Sequence, residues 1–523
     1  MAVSLPRLET KPHHRQRFAL IYGVFIAGLC SIVYELLIAT TAVYLRGDSV
    51  VWFSLTIGLY MAAMGIGAFL SKYITGRLLA VFIGAEILLG FLGGLSVPAL
   101  YGAFLFEGAF DAYYGFFTLT IGVLIGLEIP LLTRLLQRYD ELRVNLAHIL
   151  SLDYLGALVA TLAFPFVLLP WLGTFRTGLL FGLVNLSMAG LVLWTFRHRF
   201  APERRHYALG LLGGATVALA GLLLAAEGLL GLWHLQAYGD RVLYSQRSAH
   251  QEIVLTRQRD DLRLYLDGDL QFAKSDEHRY HEALVQAPMM VYQGASGGPT
   301  VGKVLILGGG DGLAAREVLK HPGVAEVVLV DLDPAVLELG ARHPAVAALN
   351  DNAFRDPRLK PVAADAMGYL AERRGLFDVI IADLPDPDAA ALGRLYTREF
   401  YSLVGANLAP RGIFVTQATS PFYAPEAFWG IYHTVGAAFE FTVPYHVLVP
   451  SFGDWGFVMA APQALAPRMA QAPEVQVATR FFDRATFEEL RSFPKDMAPL
   501  AVAVSTLDHP RVVDAYRRGW RQW

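Results

Sequence analysis

Charge and cysteine are both scarce in this sequence. Of its 523 residues, 17% are Asp, Glu, Lys or Arg and 54% are hydrophobic, whereas an ordinary soluble chain carries about 25% charged residues. One compact water-soluble enzyme is therefore excluded, and part of the chain must face lipid. The single cysteine, Cys30, lies in an apolar stretch, which excludes intrachain disulfides and cysteine-based zinc sites. The net charge is −3, with no long basic run, so no concentrated positive face is available for nucleic acid.

The shortage of charge is uneven. Residues 1–237 hold 15 Lys and Arg and 12 Asp and Glu, and residues 238–523 hold the other 28 and 34. Apolar residues fill the first part. Seven stretches, near 18–45, 50–70, 78–106, 114–136, 146–169, 177–196 and 207–226, each approach the roughly 20 residues that a helix needs to cross a bilayer. The first is too long for a cleaved leader and no small-residue cleavage site closes it, so it is expected to stay as an anchor. The expectation is a basic tail over 1–17 and an all-α polytopic membrane bundle of about seven helices over 18–237. Basic residues gather in the tail (Arg7, Lys11, Arg15, Arg17) and after the second, fourth and sixth stretches (Lys72 and Arg77; Arg134, Arg138 and Arg143; Arg197, Arg199, Arg204 and Arg205). The positive-inside rule then puts the N-terminus in the cytoplasm. Four acids, Glu35, Glu86, Glu128 and Asp153, fall inside the stretches; each serves either a structural hydrogen bond or a cation path.

From residue 238 the hydrophobic period shortens. Runs at 242–244, 252–257 and 262–266, with a turn at Asp267-Gly268, predict a small β domain over 238–298. The apolar run 303–307 reads as a buried parallel strand, followed by four glycines in 308–312 and a helical stretch over 313–320. Such glycines allow a tight turn and close approach of a ligand, and the helix start offers free amides. The next strand, 327–330, ends in Asp331, about twenty residues past the turn, where an acid can accept both ribose hydroxyls. Strands near Val362, 378–382 and 412–417 continue the alternation. Residues 299–460 therefore form a doubly wound, Rossmann-like α/β sheet that binds a nucleoside. Asp311 within the turn disfavours phosphate and suits a cationic ligand, such as a sulfonium nucleoside bearing an amine, which argues against NAD.

At several points the residues resemble a known family. The runs 304–312 (VLILGGGDG), 315–322 (AREVLKHP), 383–387 (DLPDP) and 395–401 (LYTREFY), with Asp365 at a strand end, closely resemble the spermidine synthases, the polyamine aminopropyltransferases. His250-Gln251, 266–271 (LDGDLQ) and 276–282 (DEHRYHE) resemble that family's N-terminal β domain and the gate segment after it. The apolar first part, Leu384-Pro385 and 450–457 (PSFGDWGF) look like the membrane-bound branch.

The resemblance implies transfer of an aminopropyl group from decarboxylated S-adenosylmethionine to putrescine or a similar polyamine, with no bound cofactor and no metal. The sulfonium is already a good leaving group, so what remains is to present a neutral amine in line with the carbon. A primary alkyl amine, with a pKa of about 10.4 if it behaves like lysine, must surrender a proton, and carboxylates must hold the cationic ends of both substrates. Asp383, at the end of the strand 378–382, is the expected base. Carried over by resemblance, Asp311 pairs with the aminopropyl ammonium, and Asp331 holds the ribose. Asp365 holds the adenine amino group beside Ala366, while Gln251, Gly308 and Gly310 touch the nucleoside. Tyr280, His281 and Asp386 line the amine site, with Tyr280 orienting the attacking nitrogen. Two departures bear on specificity. A loop at 388–393 replaces the relatives' Gly-Pro segment, and Phe452 stands where relatives often have a tyrosine. Trp455 is either a second amine contact or a core aromatic.

The tail, 461–523, reads as a Pro/Ala-rich linker at 461–473 followed by a helix near 484–492, without chemistry. The expected assembly is a homodimer in the inner membrane. Seven crossings from a cytoplasmic N-terminus leave the catalytic half outside, whereas its donor is cytoplasmic; a re-entrant span or the apolar continuation 228–235 would change the count. The catalytic half is expected in the cytoplasm. Two other readings compete: an S-adenosylmethionine-dependent methyltransferase, which shares the sheet but whose donor carboxylate Asp311 would repel, and a polyamine transporter or sensor with a binding-only soluble part.

Overall fold

The computed structural model describes residues 11–521 except 48, 107, 138, 140, 249, 295–299, 373 and 374. Arg7, Arg138 and the domain boundary at 298/299 lie outside the described residues. The chain divides into two compact units at Gly239/Asp240.

The first unit is helical: α1 Lys11–Arg46, α2 Ser49–Leu70, α3 Leu78–Phe104, α4 Ala109–Leu136, α5 Leu142–Ala163, α6 Leu169–Thr195 and α7 Pro202–Tyr238. Among the described residues, six continuous stretches are long and apolar enough to cross a membrane, and one of them, Leu142–Thr195, runs for 54 residues. Unbroken, it would measure about 80 Å at 1.5 Å per residue, far beyond a hydrocarbon core of about 30 Å. It is not unbroken. A π-helical turn, Phe164–Leu168, joins α5 to α6, and Gly173, at φ 68° and ψ 179°, is non-helical near the start of α6. The stretch thus divides into two helices of crossing length, and the continuation 228–235 is absorbed into α7. Where α3 meets α6 the contact is made by glycines: a Cβ on Gly182 would lie 2.6 Å from the Gly90 carbonyl oxygen, a close approach that small residues permit in lipid. Glu86 of α3 and Glu128 of α4 are both buried. Their carboxyls hydrogen-bond each other, and Asn185 donates to Glu86 Oε2 at 3.1 Å. Of the two readings of these acids, the structural one fits this pair.

The second unit opens with a four-stranded antiparallel sheet in the order β1 Arg241–Arg247, β2 Glu252–Gln258, β3 Asp261–Leu266, β4 Asp269–Ala273. Helix α8, Glu277–Gln293, follows, and its buried face from Tyr280 to Tyr292 packs into the core of the larger sheet. That sheet has seven strands in the order β10-β11-β9-β8-β5-β6-β7. They are β5 Lys303–Gly308, β6 Glu326–Asp331, β7 Leu359–Ala363, β8 Phe377–Asp383, β9 Leu408–Gln417, β10 Phe441–Val449 and β11 Gly453–Ala461. The first five run parallel, and the central β5 and β8 are buried on both faces, which is why 304–307 and 379–382 read as continuous apolar runs. The last two form an antiparallel hairpin on the edge beside β9. Order reverses at β5, so ligands are expected over the carboxyl ends of β5 and its neighbours.

The tail corrects the sequence reading. No free linker spans 461–473: Leu465, Met469 and Ala472 are buried in the core together with Phe482 and Phe487. Glu282 of α8 accepts three backbone amides, from Arg480, Phe481 and Phe482, at 2.8–2.9 Å. A last helix, Arg511–Trp520, buries Val512, Val513 and Ala515 against the other face of the sheet.

Candidate active site

Parallel register brings the predicted acids to one edge. Gly308 of β5 lies opposite Asp383 of β8. Asp331 ends β6. The turn after β5 must pass against both: Gly308 has φ 82°, and a Cβ there would come within 2.0 Å of the Asp383 carbonyl oxygen, while one on Gly310 would come within 2.6 Å of Asp331 Oδ2. Only glycine fits that approach. The amide of Gly310 donates to Asp331 Oδ2 at 3.0 Å, and that of Asp333 to Asp331 Oδ1 at 2.8 Å.

At the centre, the Tyr280 hydroxyl donates to Asp383 Oδ1 at 2.8 Å. Burial and the facing Asp383 hold the tyrosine pKa well above its ordinary value, so it remains a donor. Burial also raises Asp383, opposed by His281 and the Tyr280 hydrogen bond. His281 Nδ1 lies 2.9 Å from Glu277 Oε2. Burial alone would lower the imidazole, but Glu277 raises it to about 9. His281 is therefore a cation at neutral pH, set against Asp311 and Asp383, and not a second base. Glu277 also receives both terminal nitrogens of Arg316 at 2.9 Å.

The other predicted residues differ in how free they are. Asp311 is buried and its Oδ1 accepts the Leu313 amide at 2.8 Å. Gln251 donates to Asp333 Oδ2 at 3.1 Å, holding it beside the Asp331 loop. Asp386 accepts from Gln417 at 3.2 Å and from Thr419 at 3.5 Å. Asp365 already holds Arg394 and caps the helix Ala366–Ala371 through the Gly368 amide at 2.9 Å, so an adenine amino group would have to share it. Tyr280, His281, Asp311, Asp331, Asp383 and Asp386 act on one another electrostatically; Asp365 and Ala366 lie outside that set, beyond the end of β7. Phe452 packs 6.1 Å from Tyr280 and 5.3 Å from Trp455, ring centre to ring centre. A mixed-charge cavity of about 570 Å³, lined in part by Glu277, Arg316, His278 and Arg480, contains none of the predicted site residues.

Sequence reasoning missed Glu277, Arg316, Gln417 and Tyr516. Gln417 could have been found as the last residue of a predicted strand, like Asp383. Glu277 could have been paired with His281 from their spacing of four on one helix; Arg316 and Tyr516 carry no such signal, because only packing brings them there.

Burial raises Asp311 and Asp331 to about 6 and Asp386 to about 7. Carboxyls raised in this way favour the folded state most below the usual carboxylate range, and that contribution is lost as pH climbs through about 6–7. A bound cation restores it by pairing with the ionised forms. A diamine should therefore raise the unfolding temperature clearly at about pH 8 and little at about pH 5. Thermal unfolding with and without diamine reads this directly, and equal shifts at both pH values would contradict it.

Residues 277–469 match the family model described as the spermine/spermidine synthase domain. The chain is 42% identical over 519 residues to polyamine aminopropyltransferase 1 of Ralstonia nicotianae, covering 98% of this chain and 97% of that protein. It is 43% identical over 523 residues to the polyamine aminopropyltransferase of Mycobacterium tuberculosis, covering 98% of each. Among solved structures it is similar to a spermidine synthase crystallised with the transition-state analogue AdoDATO, with 29% identity and a TM-score of 0.45 over 49% of this chain and 88% of that one.

Proposed function

The chain belongs to the polyamine aminopropyltransferase family, and we propose that it makes spermidine, with putrescine as acceptor and Asp383 as base. Decarboxylated S-adenosylmethionine is the co-substrate, and the reaction requires no resident cofactor. The amine nitrogen bonds to the aminopropyl carbon as the C–S bond breaks. The electron pair stays on sulfur, so methylthioadenosine leaves neutral. The proton lost by the amine passes to Asp383 and on to solvent.

The observation that carries this reading is the Tyr280–Asp383 hydrogen bond at the centre of a set of raised carboxyls. A base whose pKa burial has moved toward neutrality accepts a proton at working pH better than an ordinary carboxylate. Asp311, Asp331 and Gln251 lie on the nucleoside side, where Asp311 meets the donor's ammonium. Asp386 and Tyr280 lie on the amine side. His281 offsets the crowding of negative charge.

Incubating the full chain in detergent with putrescine and either decarboxylated or intact donor, and following methylthioadenosine by mass spectrometry, tests the proposal. Release is expected only with the decarboxylated donor; none with any diamine would refute it. Demethylated donor instead would favour a methyltransferase.

The six apolar helical stretches support a multi-pass membrane anchor; that the membrane is the inner one and the enzyme a dimer belongs to the same proposal. The catalytic unit is assigned to the cytoplasm because its donor is made there, although the basic connections and seven crossings favour the other face. Protease added to sealed inside-out vesicles should cut the catalytic unit; full protection would reverse the assignment.

A further inference from the structure

The run 276–282 that opens α8 contains an acid with no part in the chemistry above. Asp276 stands at the start of the helix, where an aspartate ordinarily accepts an amide of its own first turn. Among the described residues its side chain makes no such bond. It is buried, and both oxygens reach across 175 residues to Ser451: Oδ2 accepts the backbone amide at 2.7 Å and Oδ1 accepts the hydroxyl at 2.9 Å. Three residues on, Arg279 Nε donates to the Leu448 carbonyl at 2.7 Å. Both links fall where β10 turns into β11.

That turn leaves Phe452 little freedom. Its amide donates to the Val449 carbonyl at 2.9 Å, and Gly453 after it has φ 87°, with the Tyr423 ring 2.4 Å from where a Cβ would stand. The Phe452 ring lies 6.1 Å from that of Tyr280, centre to centre, and nearly perpendicular to it. Tyr280 follows Arg279 in the chain, and its hydroxyl is the one that donates to Asp383. One short segment of α8 therefore carries the tyrosine beside the base and also fastens the turn whose ring packs on that tyrosine. Hydrogen bonds to a buried carboxylate are strong enough to hold such a register.

We propose that Asp276 is a positioning residue for the transfer: by clamping Ser451 to the start of α8 it keeps the β10–β11 turn, and Phe452 with it, seated against Tyr280, so that the amine meets Asp383 in one geometry. The proposal rests on the aminopropyl-transfer reading above.

Ser451→Ala removes one of the two bonds and Asp276→Ala removes both. With putrescine, kcat should fall about tenfold in the first, in line with one hydrogen bond to a charged group. In the second it should fall about 10²-fold, the cost of a misplacement of about 1 Å. The donor dissociation constant should stay unchanged in both, and Ser451→Thr, which keeps the hydroxyl, should recover most of the loss. Amide exchange of the full chain in detergent, without substrate, reads the clamp separately. In Asp276→Ala the Ser451 and Phe452 amides should exchange faster, while those of β5 keep their protection. If β5 also loses protection, that variant has unfolded and the Ser451 pair decides the matter. Unchanged kcat in Ser451→Ala, equal losses in turnover and donor binding, no recovery with threonine, or unchanged exchange at 451 and 452 would overturn the proposal. If exchange responds as expected but the unaltered chain releases no methylthioadenosine with any diamine, the aminopropyl-transfer reading has failed, and the role given to the clamp falls with it.

Discussion

Asp383→Asn should lower turnover by about 10²- to 10⁴-fold, the range for loss of a general base, while the protein stays folded. The amide has the size of the carboxyl, and its oxygen can still accept the Tyr280 hydroxyl that now lies 2.8 Å from Oδ1. What it cannot do is take a proton from an ammonium. Donor binding should change little, because Asp311 and Asp331 carry that end. Single-turnover release of methylthioadenosine, set beside the donor dissociation constant, separates the two effects. Turnover within about tenfold of the unaltered enzyme would mean that the proton leaves by another route.

Glu277→Ala should destabilise the catalytic unit by about 3–5 kcal/mol, the penalty for removing one partner of a buried ion pair. Glu277 is 3% exposed. Both terminal nitrogens of Arg316 lie 2.9 Å from its oxygens, and His281 Nδ1 is at the same distance. Truncation strands two buried cations. The effect depends on pH in two ways. Burial opposes ionisation of Glu277, but His281 and Arg316 hold it down at about 2, so its stabilisation is complete above 4.5 and lost as pH falls toward 2. The rise of His281 to about 9 works in the opposite sense, stabilising below 6.5 and fading as pH climbs through 9. Calorimetry of the full chain near neutral pH should show a lower transition for Glu277→Ala; an unchanged transition would remove the ion pair from the account.

Much of the fold was legible because period and turn chemistry are local. Long apolar runs, strand-length apolar runs and the 308–312 turn can be read without knowing any neighbour. Asp383 and Asp331 were legible for the same reason, since each ends a strand of a sheet whose ligand edge is known. The tail was misread because its Ala and Pro content suggests a linker, whereas Leu465, Met469 and Phe482 are core residues. Composition over a short window cannot reveal which distant surface such residues cover. Asp365 shows the same limit: its place at a strand end was legible, its engagement with Arg394 was not.

The sequence by itself determined that an apolar helical part precedes an α/β part, and which carboxylates stand at the strand ends. Those facts follow from periodicity, which is a property of neighbouring residues. The sequence also divided Leu142–Thr195 into two stretches, and the structure placed the division at the π-helical turn Phe164–Leu168 and the non-helical Gly173. Tertiary structure also decided that His281 is held as a cation by Glu277 and that Gln417, at the end of β9, reaches the Asp386 carboxylate. These depend on contacts between segments far apart in sequence, and a pKa or a hydrogen bond is set by whichever group the folded chain brings near.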